Sequence, residues 1–136
     1  MKLVAYLNFN GNAEEALKKY QSIFGGEITY MQRYKDAPDM GVSDAYKEKV
    51  LHARLLFGDN LIFVSDNFEG APPLVSGNIT LSMNFDDEAT IDRVYAALKD
   101  GGTVEMPLED TFWNAKYASI VDAYGIPWSL NYMRES

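Results

Sequence analysis

The chain has 136 residues, 47% apolar content, no cysteine and a formal charge of −8 from 20 acidic and 12 basic side chains. That length makes one compact domain or two small halves, the negative charge argues against nucleic acid as a partner, and the missing thiols exclude disulfides and thiolate chemistry. No apolar run is long enough for a membrane helix, and Met1-Lys2 leads straight into an alternating strand rather than a secretory leader, so a cytoplasmic protein is expected.

Lys2 to Asn10 alternates apolar and polar residues at the period of a half-buried strand. Asn12 to Phe24 carries Leu17, Tyr20 and Phe24 at helical spacing. Asn12 is its expected N-cap, and Glu15 makes a variant of the capping box. Gly25-Gly26 stops the helix, and Glu27 to Tyr34 reads as a second strand. Lys35 to Lys49 is long, charged and turn-rich, with one helical turn expected near Tyr46. A loop of that length is often a lid or an interface element. Val50 to Phe57 is a third strand, with Leu51, Ala53, Leu55 and Phe57 on one face and His52 and Arg54 on the other. Gly58-Asp59-Asn60 signals a hairpin into a fourth strand, Leu61 to Asp66.

Asn67 to Gly77 reads as a linker between a first module, residues 1–66, and a second, residues 78–136. Strands are expected at Asn78 to Phe85, Thr103 to Leu108, Lys116 to Asp122 and Pro127 to Met133. A helix is expected at Asp87 to Asp100, and a loop at Glu109 to Asn114. With an offset of 74 residues, Ala5, Leu7 and Phe9 answer Ile79, Leu81 and Met83, and Asn12 answers Asp86. Leu17, Tyr20 and Phe24 answer Ile91, Val94 and Leu98, and a Gly pair follows each helix. The pattern is that of a duplicated unit. The expected fold class is α+β: a single domain of two tandem βαβββ modules whose curved mixed sheets lie around a cleft. Each helix covers the face carrying Leu7 and Phe9, or Leu81 and Met83. The opposite faces carry Val4, Tyr6, Asn8 and Asn10, and Asn78, Thr80, Ser82 and Asn84. Such polar faces either line a cleft or simply meet water.

Several motifs are spread over nearly the whole chain: Tyr6-Leu7-Asn8-Phe9-Asn10-Gly11-Asn12 with Glu15-Ala16 and Tyr20, then Phe24-Gly25-Gly26. His52-Ala53, Ser65-Asp66, Asp110-Thr111-Phe112-Trp113, and Asp122 with Gly125 and Trp128 continue them. With the duplicated module, they make the chain resemble the vicinal oxygen chelate superfamily (glyoxalase, bleomycin-resistance and extradiol dioxygenase proteins). More narrowly it resembles the PhnB-like branch, described as 3-demethylubiquinone methyltransferase-like. The resemblance implies a glyoxalase/bleomycin-resistance-like fold, a homodimer, and a small organic molecule as partner. In metal-using members four strands supply the ligands; the equivalents implied here are Val4, Ile62, Asn78 and Ser129. None is His, Asp or Glu, so no metal and no other cofactor is expected.

His52 is the only histidine and therefore the first candidate for proton chemistry near neutral pH. With Arg54 it would hold an anionic or carbonyl-bearing ligand, or form a polar cross-strand pair at the rim. Tyr6, Asn8, Asn78 and Ser129 are further ligand-binding candidates on the polar strand faces. Trp113 and Tyr117, with Phe112, would stack on a flat ligand, or form a dimer contact or core filler. Trp128 alternates with Leu130 and Tyr132 and belongs beneath the second helix. Glu105, Glu109 and Asp110 read as solvated loop charges. No dinucleotide, phosphate-loop or nucleophile-elbow motif appears. Two functions remain: a metal-free module binding a small molecule, or a lyase, isomerase or dioxygenase whose ion sits on His52, Asn78 and Asp66.

Overall fold

In the computed structural model, which describes residues 1–74 and 77–134, one order of strands and helix occurs twice. The chain divides into two units, Met1–Val75 and Ser76–Ser136. Of the expected linker, residues 75 and 76 lie outside the described residues.

The first unit holds β1 (Ala5–Phe9), α1 (Ala13–Phe24), β2 (Glu27–Arg33), β3 (Val50–Phe57) and β4 (Asn60–Asp66). Its sheet has the order β1-β4-β3-β2, with β1 parallel to β4 and the other pairs antiparallel. α1 buries Ala13, Ala16, Leu17, Tyr20 and Ile23. The sheet supplies Leu7, Phe9, Ala53, Leu55, Phe57, Ile62 and Val64 to the same core. Each large aliphatic or aromatic side chain so buried contributes roughly 1.5–3 kcal/mol.

The second unit holds β5 (Leu81–Phe85), α2 (Glu88–Lys99), β6 (Thr103–Asp110), β7 (Ala115–Val121) and β8 (Pro127–Met133), in the order β5-β8-β7-β6. Ile91, Val94 and Leu98 of α2 are buried, as are Ala118, Ile120, Trp128 and Leu130 of the sheet. Trp128 belongs to this core as expected. Its indole Nε1 donates to Asp122 Oδ2 at 2.8 Å, while Asp122 Oδ1 accepts from the Tyr124 and Ile126 amides at 2.9 and 3.0 Å. One buried carboxylate thus shapes the β7–β8 turn.

The element boundaries differ from the sequence reading where tertiary partners decide them. β1 begins at Ala5 and β5 at Leu81, because parallel pairing to β4 and β8 starts there. β6 continues through Pro107 to Asp110 and takes up the first two residues of the expected loop. Proline is tolerated because β6 is an edge strand, with register shifts between Val104 and Met106 and between Met106 and Glu109. The α2 cap is Asp87, not Asp86: its carboxylate accepts from the Thr90 amide at 2.7 Å. The helices begin at Ala13 and Glu88, so a constant offset of 74 does not superpose them.

The Asn12 side chain does not cap α1. Asp66, at the end of β4 and 2% exposed, does so instead. Its Oδ1 accepts from the Gly11 and Ala13 amides, both at 2.9 Å, and its Oδ2 accepts from the Val50 amide at 2.8 Å. The Asp66 carbonyl accepts from the Tyr34 hydroxyl at 2.9 Å. The expected lid is therefore pinned rather than free. Within it, Asp44–Tyr46 forms the anticipated helical turn, as a 3-10 turn. The Ser43 amide and hydroxyl donate to the Glu69 carboxylate, and the Tyr46 hydroxyl donates to the Asn67 carbonyl. Beside it, Arg33 forks onto both oxygens of Glu14 at 2.9 and 2.8 Å, holding that carboxyl down at about 2.

The two Gly pairs also bring the chain close to its own sheet. A Cβ on Gly26 (φ 88°) would lie 2.2 Å from the Leu56 carbonyl oxygen, and one on Gly102 would lie 2.5 Å from that of Val121. Gly25 shares the positive φ but has open space around it. Gly25→Ala is expected to cost about 1–2 kcal/mol from backbone strain alone, and Gly26→Ala clearly more; equal midpoints in urea would refute the close-packing account. Asp66→Ala, which orphans three amides, those of Ala13 and Val50 buried, is expected to lower unfolding free energy on the order of 3 kcal/mol, read as a shifted urea midpoint at unchanged slope.

Candidate functional site

The face of the first sheet opposite α1 is built by strand alternation. Cross-strand register places Tyr6, Phe63, Arg54 and Tyr30 in one row across β1, β4, β3 and β2. Asn8 and Ser65 are paired in the next row, where Gln32 stands opposite His52. Tyr6, Tyr30 and Arg54 are exposed, whereas Phe63 and His52 are half-buried.

Three of these side chains form a chain of hydrogen bonds. Arg54 Nε donates to His52 Nε2 at 2.9 Å, and His52 Nδ1 lies 2.7 Å from the Tyr6 hydroxyl. An arginine Nε–H can only donate, so Nε2 must offer its lone pair. The imidazole is then neutral with its proton on Nδ1, and that N–H donates a hydrogen bond to the Tyr6 oxygen. The phenol's own hydrogen is left directed away from His52. Burial, and then the Arg54 charge, push the His52 pKa below its ordinary value of 6.5. The guanidinium carbon lies 4.9 Å from the Phe63 ring centre and 5.2 Å from that of Tyr30. The His52 ring meets Phe63 edge-on at 4.9 Å.

Of the first-unit candidates, Tyr6, His52 and Arg54 are thus joined, and Asn8 lies in the adjoining row. In the second unit, Ser129 Oγ donates to the Tyr117 hydroxyl at 3.1 Å, and the Trp113 ring lies 6.2 Å from that of Tyr117. Asn78 is exposed and precedes β5, so it does not join them. Phe63 and Tyr30 escaped the sequence reading. In Leu61-Ile62-Phe63-Val64 both faces are apolar, and no alternation marks Phe63 as outward. Asp110 is largely exposed and also pairs with Arg134 at 2.7 Å.

The residues equivalent to metal ligands do not fit an ion. Ile62 is buried in the core, Val4 and Asn78 precede their strands, and the Ser129 hydroxyl is engaged. Among the described residues no group of three His, Asp or Glu converges. The non-standard set fails as well. Asp66 pairs with Phe9 on the core side of the sheet, both its oxygens are engaged by amides, and His52 faces the other way.

Two mixed four-stranded sheets, each with one helix, define a glyoxalase/bleomycin-resistance fold. A glyoxalase/bleomycin resistance protein/dioxygenase family enzyme from Burkholderia phytofirmans PsJN shares it, with TM-score 0.61 at 15% identity over 96% of this chain and 98% of that one. The sequence model of 3-demethylubiquinone-9 3-methyltransferase matches residues 1–131, and the chain belongs to that family, the PhnB-like branch of the superfamily. The chain is 36% identical to protein PA1353 from Pseudomonas aeruginosa, with 99% of each covered and TM-score 0.90. It is 26% identical to a putative 3-demethylubiquinone-9 3-methyltransferase, PhnB protein, from Bacillus cereus, over 97% of this chain and 99% of that one, with TM-score 0.83. Protein YjdN of Escherichia coli (strain K12) is 26% identical over 99% of this chain and 97% of its own length.

His52 supplies a direct check, since the chain has one histidine and so one imidazole spectrum. Nitrogen NMR at pH 7 is expected to show a protonated Nδ1 and a bare Nε2; the opposite tautomer would break the proton assignment. Because the folded pKa is the lowered one, the unfolded chain binds this proton first as pH falls below 6.5. His52 therefore costs stability on acidification, beginning at the unfolded value and levelling off below the folded one. His52→Gln is expected to flatten that part of the thermal midpoint against pH; an unchanged profile would refute it.

Proposed function

We propose that the chain is a binding module that holds a small organic molecule on the open face of the first sheet, without a bound metal. The supporting observation is the hydrogen-bonded run from Arg54 through His52 to Tyr6, set among Phe63 and Tyr30: two outward polar groups, those of Tyr6 and Arg54, beside aromatic rings. Small-molecule sites have this composition, mostly apolar with a few placed polar groups. The row suits binding better than proton transfer, because both His52 nitrogens are already engaged. The proposal includes a cytoplasmic homodimer, to which the exposed Val104 and Met106 of β6 would offer apolar surface.

The test uses 1-naphthoate and 1-naphthamide as flat probes, monitored through the His52 imidazole signals and the thermal midpoint. At a probe concentration a hundredfold above Kd, a stabilisation of about 2.7 kcal/mol is expected. Tyr30→Ala is expected to weaken binding about tenfold, the loss of one stacking partner. If neither probe shifts the imidazole signals at millimolar concentration, the reading fails. Sedimentation at micromolar concentration is expected to give twice the chain mass; a monomer would remove the dimer.

A further inference from the structure

We infer that the ligand of this face is a flat, conjugated carboxylate, its anionic group held by Arg54 and Tyr6 and its ring laid against Phe63 and Tyr30. This rests on the binding reading above and adds the chemical class.

Arg54 spends Nε–H on His52, and His52 spends Nδ1–H on Tyr6. What the pair then presents outward is chiefly donors: the Tyr6 O–H and the terminal N–H groups of the guanidinium, the phenol oxygen already accepting from His52. A ligand group that only accepts matches this set, and a planar carboxylate accepts from a guanidinium fork in two places at once. A carboxamide must turn part of its edge, an N–H, toward donors.

Charge points the same way. In a chain of net charge −8, Arg54 has no carboxylate partner among the described residues. Glu27, registered opposite Leu56 on β2, forms no ion pair with it. Arg33 and Arg134, by contrast, are each bonded to carboxylates. The guanidinium instead lies between two aromatic rings, where partial removal from water strengthens its pull on an anion. His52 acts as a positioning residue: it fixes the Arg54 side chain at Nε and turns the Tyr6 hydrogen outward.

The experiment compares 1-naphthoate, 1-naphthamide and cyclohexanecarboxylate on the full chain by calorimetry, with the His52 imidazole signals as the site reporter. Naphthoate is expected to bind about tenfold or more tightly than the other two, since it alone combines the charge with the flat ring. Tyr6→Phe, which keeps the ring, is expected to lose about tenfold for naphthoate and little for naphthamide. Arg54→Leu is expected to abolish the preference between them. Both sites are on the surface, and unchanged thermal midpoints of the free variants establish that they fold. Naphthamide binding as tightly as naphthoate would overturn the ligand class while leaving the binding face standing. No imidazole shift with any of the three probes would overturn both.

Discussion

The first unit depends on one carboxylate. Asp66 sits at the end of β4 with almost no exposure, and its two oxygens gather amides from the turn into α1 and from the start of β3. Its carbonyl holds Tyr34, the residue at which the chain leaves β2. Three segments distant in sequence are thus fixed to one residue of β4. Burying an ion is expensive unless it is fully hydrogen-bonded, and here amides on both oxygens supply that compensation. The same bond set closes the end of the parallel pair β1–β4 and holds the strands whose outward face carries Tyr6, His52, Arg54 and Phe63. The geometry of the proposed binding face is in this sense set from beneath it.

Above that support the face is stiff. Alternating donors and acceptors run from Arg54 through His52 to Tyr6, and no member can reverse without breaking its neighbour's bond. An imidazole whose lone pair and proton are both committed is a poor general base. In the proposed binding role the arrangement would act as a template, its polar groups oriented before a ligand arrives, and preorganisation of this kind lowers the entropic cost of binding.

Much of this was legible in the sequence, and the rest was hidden for identifiable reasons. The period of two along Val50 to Phe57 separated His52 and Arg54 from the core, and helical spacing found both helices. The family resemblance supplied the sheet architecture that periodicity alone does not. The α1 cap was misplaced because its acceptor lies 53 residues from the amide it receives, a distance no local motif spans. Asn78 was assigned to a strand face because apolar alternation begins before the backbone pairing does. Phe63 was missed because β4 is apolar on both sides. The strand expected to end at Leu108 runs on to Asp110, and its edge position and two register shifts accommodate Pro107 within it.

The edges of the two sheets carry a further consequence. β1 and β5, which end them on one side, are only five residues long. β2 and β6, which end them on the other, are longer but each broken by two irregularities. Fibril growth needs a straight, continuous ladder of unpaired amides and carbonyls on which another chain can be copied. None of these four strands offers one. A small protein rich in apolar and aromatic residues thereby gains resistance to amyloid-type stacking from the same shortness and bulging that complicate its reading as a sequence.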